Sequence, residues 1–310
     1  MRHGLIPSID TVFSRQSHYI NYCGIRPFLF ILNGTAVNLS DEELEFQIRD
    51  RFTFMRFLGL KPEATTPDCN TLWDFRELLL KADMGKSLFV AFELHLQEQG
   101  YCARKGQIVD ASFVEAPRQR NSREENEAIK KGEVPPTLAQ KPACLRQKDL
   151  DARWTKKNDQ THYGYKNHVC VDNEHKLIRE YEVTSAQVHD SQVLLEILTQ
   201  NDSTLVWADS AYRSDDNELA LQVCGYQSRI HERAYRDKPL TQKQQANNKK
   251  KSKVRARVEH VFGSITNEQD GMHVRVIGIL RATTKVGLTN LVYNLRRFVS
   301  LNRIATCAAR

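Results

Sequence analysis

Between residues 38 and 100 the apolar positions recur with the period of a helix. Leu44, Ile48, Phe52 and Met55, then Leu58 or Leu60, share one face of a segment that Ser40 can cap, with Glu43 at the capping-box distance. A second helix from Asn70 or Thr71 carries Leu72, Phe75, Leu78 and Leu79, and a third covers about residues 86–99. After Gly106 the pattern changes. Residues 107–114 are rich in strand formers and stop short of Pro117. A polar stretch follows over residues 118–158, broken by Pro135, Pro136 and Pro142, and reads as a long functional or disordered loop. Residues 162–171 and 176–184 are two strands of a hairpin turned by Asp172, Asn173, Glu174 and His175.

Beyond the hairpin, helix and strand signals alternate. Val193, Leu194, Ile197 and Leu198 predict a helix over residues 189–200 with Asp190 as its cap, and residues 204–209 read as a buried strand ending in a carboxylate. A helix over 214–224 and a strand over 226–230 follow, and then a run dense in positive charge. Val254, Val258, Val261, Phe262 and Ile265 next form a helical apolar stripe, and a last amphipathic helix carries Leu288, Leu291, Val292, Leu295, Phe298 and Val299. Strands first, then alternation with helices, predict an α/β core. The expected organisation is a divergent, poorly ordered stretch over 1–37, a helical domain over 38–104 and a catalytic domain over 105–303. The last of these carries a polar insertion at about 115–160, and a tail occupies 304–310.

Composition narrows the class. The 310 residues hold 45 Lys and Arg against 38 Asp and Glu, a formal net charge of +7. The longest apolar run, residues 27–32, is far short of a bilayer span, so a soluble, cytoplasmic protein is expected. Seven scattered cysteines without a Cys-x-x-Cys pair indicate reduced thiols. Charge distribution says more than the total. From Arg229 to Arg257 there are eleven positive residues, including Arg236, Lys238, Lys243, Lys249, Lys250, Lys251, Lys253, Arg255 and Arg257, against Glu232 and Asp237 alone. Such an excess favours a phosphate backbone, although lysines that merely solvate a loop would look the same.

Three acids stand where charge is costly. Asp110 lies inside an apolar strand, Asp209 ends another, and Glu259 sits between Val258 and Phe262 on the striped helix. Converging carboxylates repel one another, and a divalent cation removes that penalty; hard oxygen ligands suit Mg²⁺ or Mn²⁺. Singly, each has a plainer reading: a strand-end Asp caps a turn, and Glu259 pairs with Arg255 one helical turn away. There is no phosphate-binding loop of the Gly-x-x-x-x-Gly-Lys kind, no Gly-x-Ser-x-Gly and no His-Glu-x-x-His. His162, His168 and His189 lack ligand spacing and read as hydrogen-bonded or surface histidines.

Longer motifs identify a resemblance. Residues 108–114 (Ile-Val-Asp-Ala-Ser-Phe-Val), 117–121 (Pro-Arg-Gln-Arg-Asn), 151–157 (Asp-Ala-Arg-Trp-Thr-Lys-Lys), 163–168 (Tyr-Gly-Tyr-Lys-Asn-His), 188–192 (Val-His-Asp-Ser-Gln), 207–213 (Trp-Ala-Asp-Ser-Ala-Tyr-Arg) and 255–263 (Arg-Ala-Arg-Val-Glu-His-Val-Phe-Gly) resemble, in order, bacterial insertion-sequence transposases of the Asp-Asp-Glu class. The likeness is to the insertion-sequence-five family and runs from about residue 38 to 301. It implies a ribonuclease-H-like catalytic domain, a mixed sheet with flanking helices, preceded by a small helical domain. Asp110 would lie on the first strand, Asp209 at the end of the fourth, and Glu259 on a helix against the sheet.

The resemblance further implies that these acids hold two Mg²⁺ or Mn²⁺ ions, cut the element ends and join them to target DNA by in-line phosphoryl transfer. The partners would be double-stranded terminal inverted repeats and target DNA, met by a homo-oligomer. Of the related signature Tyr-x-x-Arg-x-x-x-Glu-x-x-x-x-x-x-Lys, Arg255 and Glu259 match, while Ser252 and Thr266 replace Tyr and Lys. Arg255 is expected to meet a phosphate near the cut, helped by Arg257 and Lys253 and by Lys249, Lys250 and Lys251. Arg118, Arg120, Arg153, Lys156, Lys157 and Lys166 offer a second DNA surface, and Trp154 either stacks on an unpaired base or fixes the insertion to the core. Residues 1–37 depart from the family, as a frame change or misplaced start would leave them. An inactive DNA-binding remnant or regulator would share the charge but leaves the three acids unexplained.

Overall fold

The computed structural model describes residues 31–32, 34–157, 159–234 and 239–308. The first 30 residues, Asn158 and the stretch with Arg236, Asp237 and Lys238 lie outside it. The chain divides into two compact units, residues 1–84 and 85–310. Among the described residues no helix is long and apolar enough to cross a membrane.

In the first unit, α1 (Asp41–Asp50), α2 (Phe52–Phe57) and α3 (Cys69–Lys81) bury Leu44, Ile48, Met55, Leu58, Leu60 and Leu72 together. Full burial of such a side chain contributes about 1.5–3 kcal/mol. Ser40 accepts from the Glu43 backbone N–H as the spacing requires, whereas Glu43's own carboxylate turns to Gln47. Arg51 is extended and breaks α1 from α2, which leaves Phe52 outside the predicted stripe and exposed. The packed unit reaches back beyond residue 38. Ile31, Leu32 and Thr35 are buried in helical turns ahead of the boundary expected at residue 38.

The second unit begins with α4 (Met84–Glu98) and centres on a six-stranded mixed sheet. β1 (Gln107–Glu115) pairs antiparallel with β3 (Gln160–Asp172), which also pairs antiparallel with β4 (Ile178–Ser185). On its other side β1 runs parallel to β5 (Leu205–Ala208), and β5 runs parallel to the two-residue β6 (Gln227–Ser228). The order β4-β3-β1-β5-β6 is a ribonuclease-H-like sheet; β2 (Arg153–Lys157) belongs to the insertion and pairs with the start of β3. Gly164 stands where β3 crosses between β1 and β2 at φ 144°, and a Cβ there would run into the backbone oxygen of Val114.

Each sheet face is covered. One packs Val109, Cys170, Val206 and Ala208 against Val193, Leu194, Ile197, Tyr212 and Leu221. Toward β3 and β4 lies the last helix, α11 (Ile279–Ala308). Its Asn290 exchanges amide hydrogen bonds of 2.9 and 3.2 Å with Asn167, and Asn294 bonds both the N–H and the C=O of Ile178. Paired amides of this kind fix register as well as bury polar groups without loss.

Four sequence expectations change. The polar insertion is folded as α5 (Arg123–Lys130), α6 (Pro136–Ala139), α7 (Pro142–Leu145) and β2. Pro136 and Pro142 start helices, where a missing N–H costs nothing. No helix forms over 189–200. A 3₁₀ turn at Asp190–Gln192 and successive turns bury Val193, Leu194 and Ile197 instead, and His189, not Asp190, caps the start. The basic run is itself helical, α9 (Gln242–Arg255), opened by a capping box between Thr241 and Gln244. The stripe then belongs to a separate α10 (Arg257–Gln269), which buries Val258, Val261 and Ile265. α8 (Asp215–Val223) lies where expected, capped by Ser214.

Candidate active site

Asp110 and Asp209 reach the same end of the sheet by different routes. β1 runs on past its pairing with β5, so Asp110 lies just beyond the Val109–Ala208 pair, and Asp209 follows the last residue of β5. Ligand sites of open α/β sheets form at such carboxyl ends. Asp209 begins a 3₁₀ turn, accepting from the Ser210 N–H at 2.6 Å, and stands 3.7 Å from His231 Nδ1. His231 is carried there from the end of β6 by a backbone bond to Ala208, and its Nε2 lies 3.3 Å from the Ser252 hydroxyl.

The third acid approaches on α10, and Arg255 comes with it. The guanidinium places Nη1 at 2.5 Å from Asp110 Oδ2 and Nη2 at 3.6 Å from Glu259 Oε1. Its charge also helps hold Asp209, whose carboxyl lies well below the usual range through His231 first and then Ser210 and Arg255. Asp110 behaves in the opposite way: burial pushes its carboxyl up to about 6, despite Arg255 and the Ala111 N–H. Tyr212, buried beneath these acids, is raised well above an ordinary phenol by burial and then by Asp110, Asp190 and Asp209. Two of the three predicted acids, Asp110 and Glu259, therefore share one cation, the Arg255 side chain, while Asp209 is held by Ser210 and His231.

A match to "Transposase DDE domain" covers residues 102–295, and one to "Transposase domain (DUF772)" covers 26–78. The chain belongs to the DDE transposase family. The second match starts well before residue 38, in keeping with the packing of Ile31 and Leu32. Among solved structures, a piggyBac transposase synaptic complex with hairpin DNA is similar over 90% of this chain and 66% of that one, at 10% identity and a TM-score of 0.40.

DDE transposases generally use divalent metal ions. The acids of this transposase do not fit a shared ion as they stand: Arg255 is lodged against Asp110 and Glu259, and among the described residues no three His, Cys, Asp or Glu side chains could hold a metal together.

The expected DNA-binding cations fall into two groups. Lys249, Lys250 and Lys253 are exposed on α9, which buries none of its residues, and Arg118 and Arg120 are exposed on the insertion. Arg118 lies over the ring of Trp154, which is itself 4.9 Å from Tyr163, so this Trp is partly fixed by the insertion. Lys157 lies over the Phe113 ring, and Lys156 pairs with Asp159 at the β2–β3 turn.

Four others make contacts within the protein. Lys166 is buried against Asp190 and the Val188 carbonyl; Arg153 donates to the carbonyls of Ile129, Leu150 and Ala152. Arg257 clamps Asn173, and Lys251 donates to the Ile230 carbonyl and pairs with Glu232.

Sequence reading passed over His231 and Tyr212. Both lie just after strands that end beside Asp209, which is the one signal that could have drawn attention to them.

Proposed function

We propose that this DDE transposase cuts double-stranded DNA at the ends of an insertion sequence and joins those ends to target DNA, with Asp110, Asp209 and Glu259 as its catalytic acids. One observation supports the reading above all: Asp110 and Glu259, 149 positions apart, share the guanidinium of Arg255, while Asp209 follows the strand that pairs with β1 just before Asp110. Acids brought together only for stability would be costly, because each adds repulsion that the others must offset. In the phosphoryl transfer, the exposed Lys249, Lys250 and Lys253 would track the phosphate backbone, and Arg255 would meet a phosphate beside the cut. Lys157, over the Phe113 ring, would add to that positive charge.

The finer attributes belong to the same proposal. They are Mg²⁺ or Mn²⁺ as the metal, two ions per site, membership of the insertion-sequence-five family, terminal inverted repeats as the recognised DNA, and a homo-oligomer acting in the cytoplasm.

The test uses duplexes taken from the DNA flanking the gene, incubated with the full chain and Mg²⁺ or Mn²⁺. Cleavage at the repeat ends and joining of a pre-cut end are expected, and both should vanish in Asp110→Asn, Asp209→Asn and Glu259→Gln while binding persists. Binding without cleavage by the wild type would instead indicate a DNA-binding remnant, and cleavage without joining a nuclease.

A further inference from the structure

We propose that Lys176, Arg257 and Arg297 form a phosphate site on the β3–β4 turn, apart from the acid cluster, and that it holds a backbone phosphate of the DNA on which the chain acts. The site stands independently of the three acids. That its phosphate is DNA's rests on the reading of the chain as a transposase acting on duplex.

Three elements bring these cations to one short turn. α10 opens with Arg257, whose Nη1 donates to the Asn173 carbonyl at 2.6 Å and to the Asn173 side-chain oxygen at 2.7 Å. α11 supplies Arg297, whose Nε donates to the His175 carbonyl at 2.7 Å. Lys176 lies in the turn itself, at a φ of 59° more usual for glycine or asparagine. Its carbonyl accepts from the Tyr293 hydroxyl at 2.7 Å, and its N–H donates to the Asp172 carbonyl. The charges are crowded: burial, then Arg297 and Arg257, push the Lys176 ammonium below its ordinary value.

Nothing inside the protein relieves that crowding. Among the described residues none of the three cations pairs with a carboxylate, because the nearby acids are already taken. Asp172 holds Arg179 and the His175 ring, Glu174 holds Lys105, and Glu268 holds Arg296. Both arginines are instead anchored by neutral oxygens, which orient a guanidinium without cancelling its charge. Arg257 keeps Nε and Nη2, and Arg297 keeps Nη1 and Nη2, without acceptors among the described residues. Each such pair is a fork that matches two phosphate oxygens.

Position favours DNA as the source of the phosphate. Asp172, where the turn begins, pairs with Gln107, three residues along β1 from Asp110. At about 3.3 Å per residue the turn begins about 10 Å from that acid. Arg257 is two residues from Glu259 on the same helix. Successive phosphates of one strand rise about 3.4 Å, so a strand passing the acids would bring a phosphate about three nucleotides farther on to the turn. Such a contact fixes how far the strand advances over the acids.

The test measures binding of the full chain to duplex from the DNA flanking the gene, at several salt concentrations and without divalent metal. Lys176→Gln removes a side chain that bonds nothing among the described residues. It is expected to weaken duplex binding roughly threefold to tenfold at about 0.1 M salt and to lower the slope of log affinity against log salt by about 0.9. Adding Arg257→Gln and Arg297→Gln should lower that slope by up to about 3 in all. A duplex in which single phosphates are replaced by neutral methylphosphonate should show one position that weakens wild-type binding and to which Lys176→Gln is indifferent. The melting temperature of free Lys176→Gln should be no lower than that of the wild type, since a repelled charge has gone.

The arginine variants also lose hydrogen bonds to the turn, so Lys176→Gln alone decides if they fail to fold. An unchanged slope, or a wild type that binds no duplex, overturns the assignment to DNA. If inorganic pyrophosphate then raises the melting temperature of the wild type and not of Lys176→Gln, the site holds a free anion. If neither duplex nor pyrophosphate distinguishes the two chains, the site itself is overturned. No cleavage is measured, so failure of the catalytic reading of the acids would leave this result untouched.

Discussion

Two charge clusters, one buried and one partly open, sit on the same sheet and are built on opposite principles. At the end of β3, Asp172 accepts from the backbone N–H groups of Arg104, Glu174 and His175, from the His175 ring and from Arg179. Arg179 is in turn bound by Glu93 at 2.7 Å and by the Tyr101 carbonyl, so the cluster is densely bonded and ties α4 to the hairpin. Three residues along β1 from the Gln107–Asp172 pair, Asp110 is mostly buried, yet among the described residues it has only the Ala111 N–H and Arg255, and its carboxyl is pushed up to about 6. A carboxylate surrounded by donors holds a fold together. One left short of them fits the ligand-binding role proposed for Asp110.

Removing each acid should separate the two roles most sharply. Asp110→Asn is expected to lower DNA cleavage by about 10³-fold or more, the scale on which essential catalytic groups act. Its melting temperature above pH 6 should be no lower than that of the wild type. The reason is the sign of the shift: with the folded value raised to about 6, the carboxyl stabilises the fold fully below its ordinary value and loses that contribution as pH rises through 6. A large drop in stability at neutral pH would place Asp110 in the structural class. Asp172→Asn should do the reverse, costing about 3–5 kcal/mol in denaturant unfolding because Arg179 keeps its charge and loses a partner. Unchanged stability would erase the contrast.

A third buried group sharpens the comparison through pH. His168, fully buried on β3 with Nε2 on Thr184, is lowered to about 4 by burial. The unfolded chain takes up a proton below about 6.5 and the folded chain only near 4, so stability should fall as pH drops through that window, by up to roughly 3 kcal/mol. Denaturant unfolding of His168→Gln should show a flatter pH profile; an equally steep one would assign the acid sensitivity elsewhere. The smallest effect concerns α9. Neutralising Lys249, Lys250 and Lys253 together should reduce the slope of log affinity against log salt by up to about 3, leaving the melting temperature unchanged. An unaltered slope would return these lysines to a merely solvated face.

The comparison also explains what the sequence discloses. β1, β3, β4 and β5 are legible because strand formers cluster between turn residues, and Asp110, Asp209 and Glu259 are legible because each interrupts an apolar pattern. α9 was hidden because it has no apolar face: its only local signal is the Thr241 and Gln244 box. The turns after His189 imitate a helix because Val193, Leu194 and Ile197 have helical spacing, while Lys166 binding Asp190 and Gln107 accepting from the Thr199 N–H fix both ends of a different path. Which cations are exposed could not be read from charge at all. Lys251 and Lys250 are neighbours, yet the first donates to Ile230 and the second is exposed, and only the fold decides between them.

Anomalous diffraction from crystals of the full chain grown with duplex and Mn²⁺ tests the central claim most directly. The account predicts a manganese peak bounded by the carboxylates of Asp110, Asp209 and Glu259. A peak away from these three side chains would contradict it.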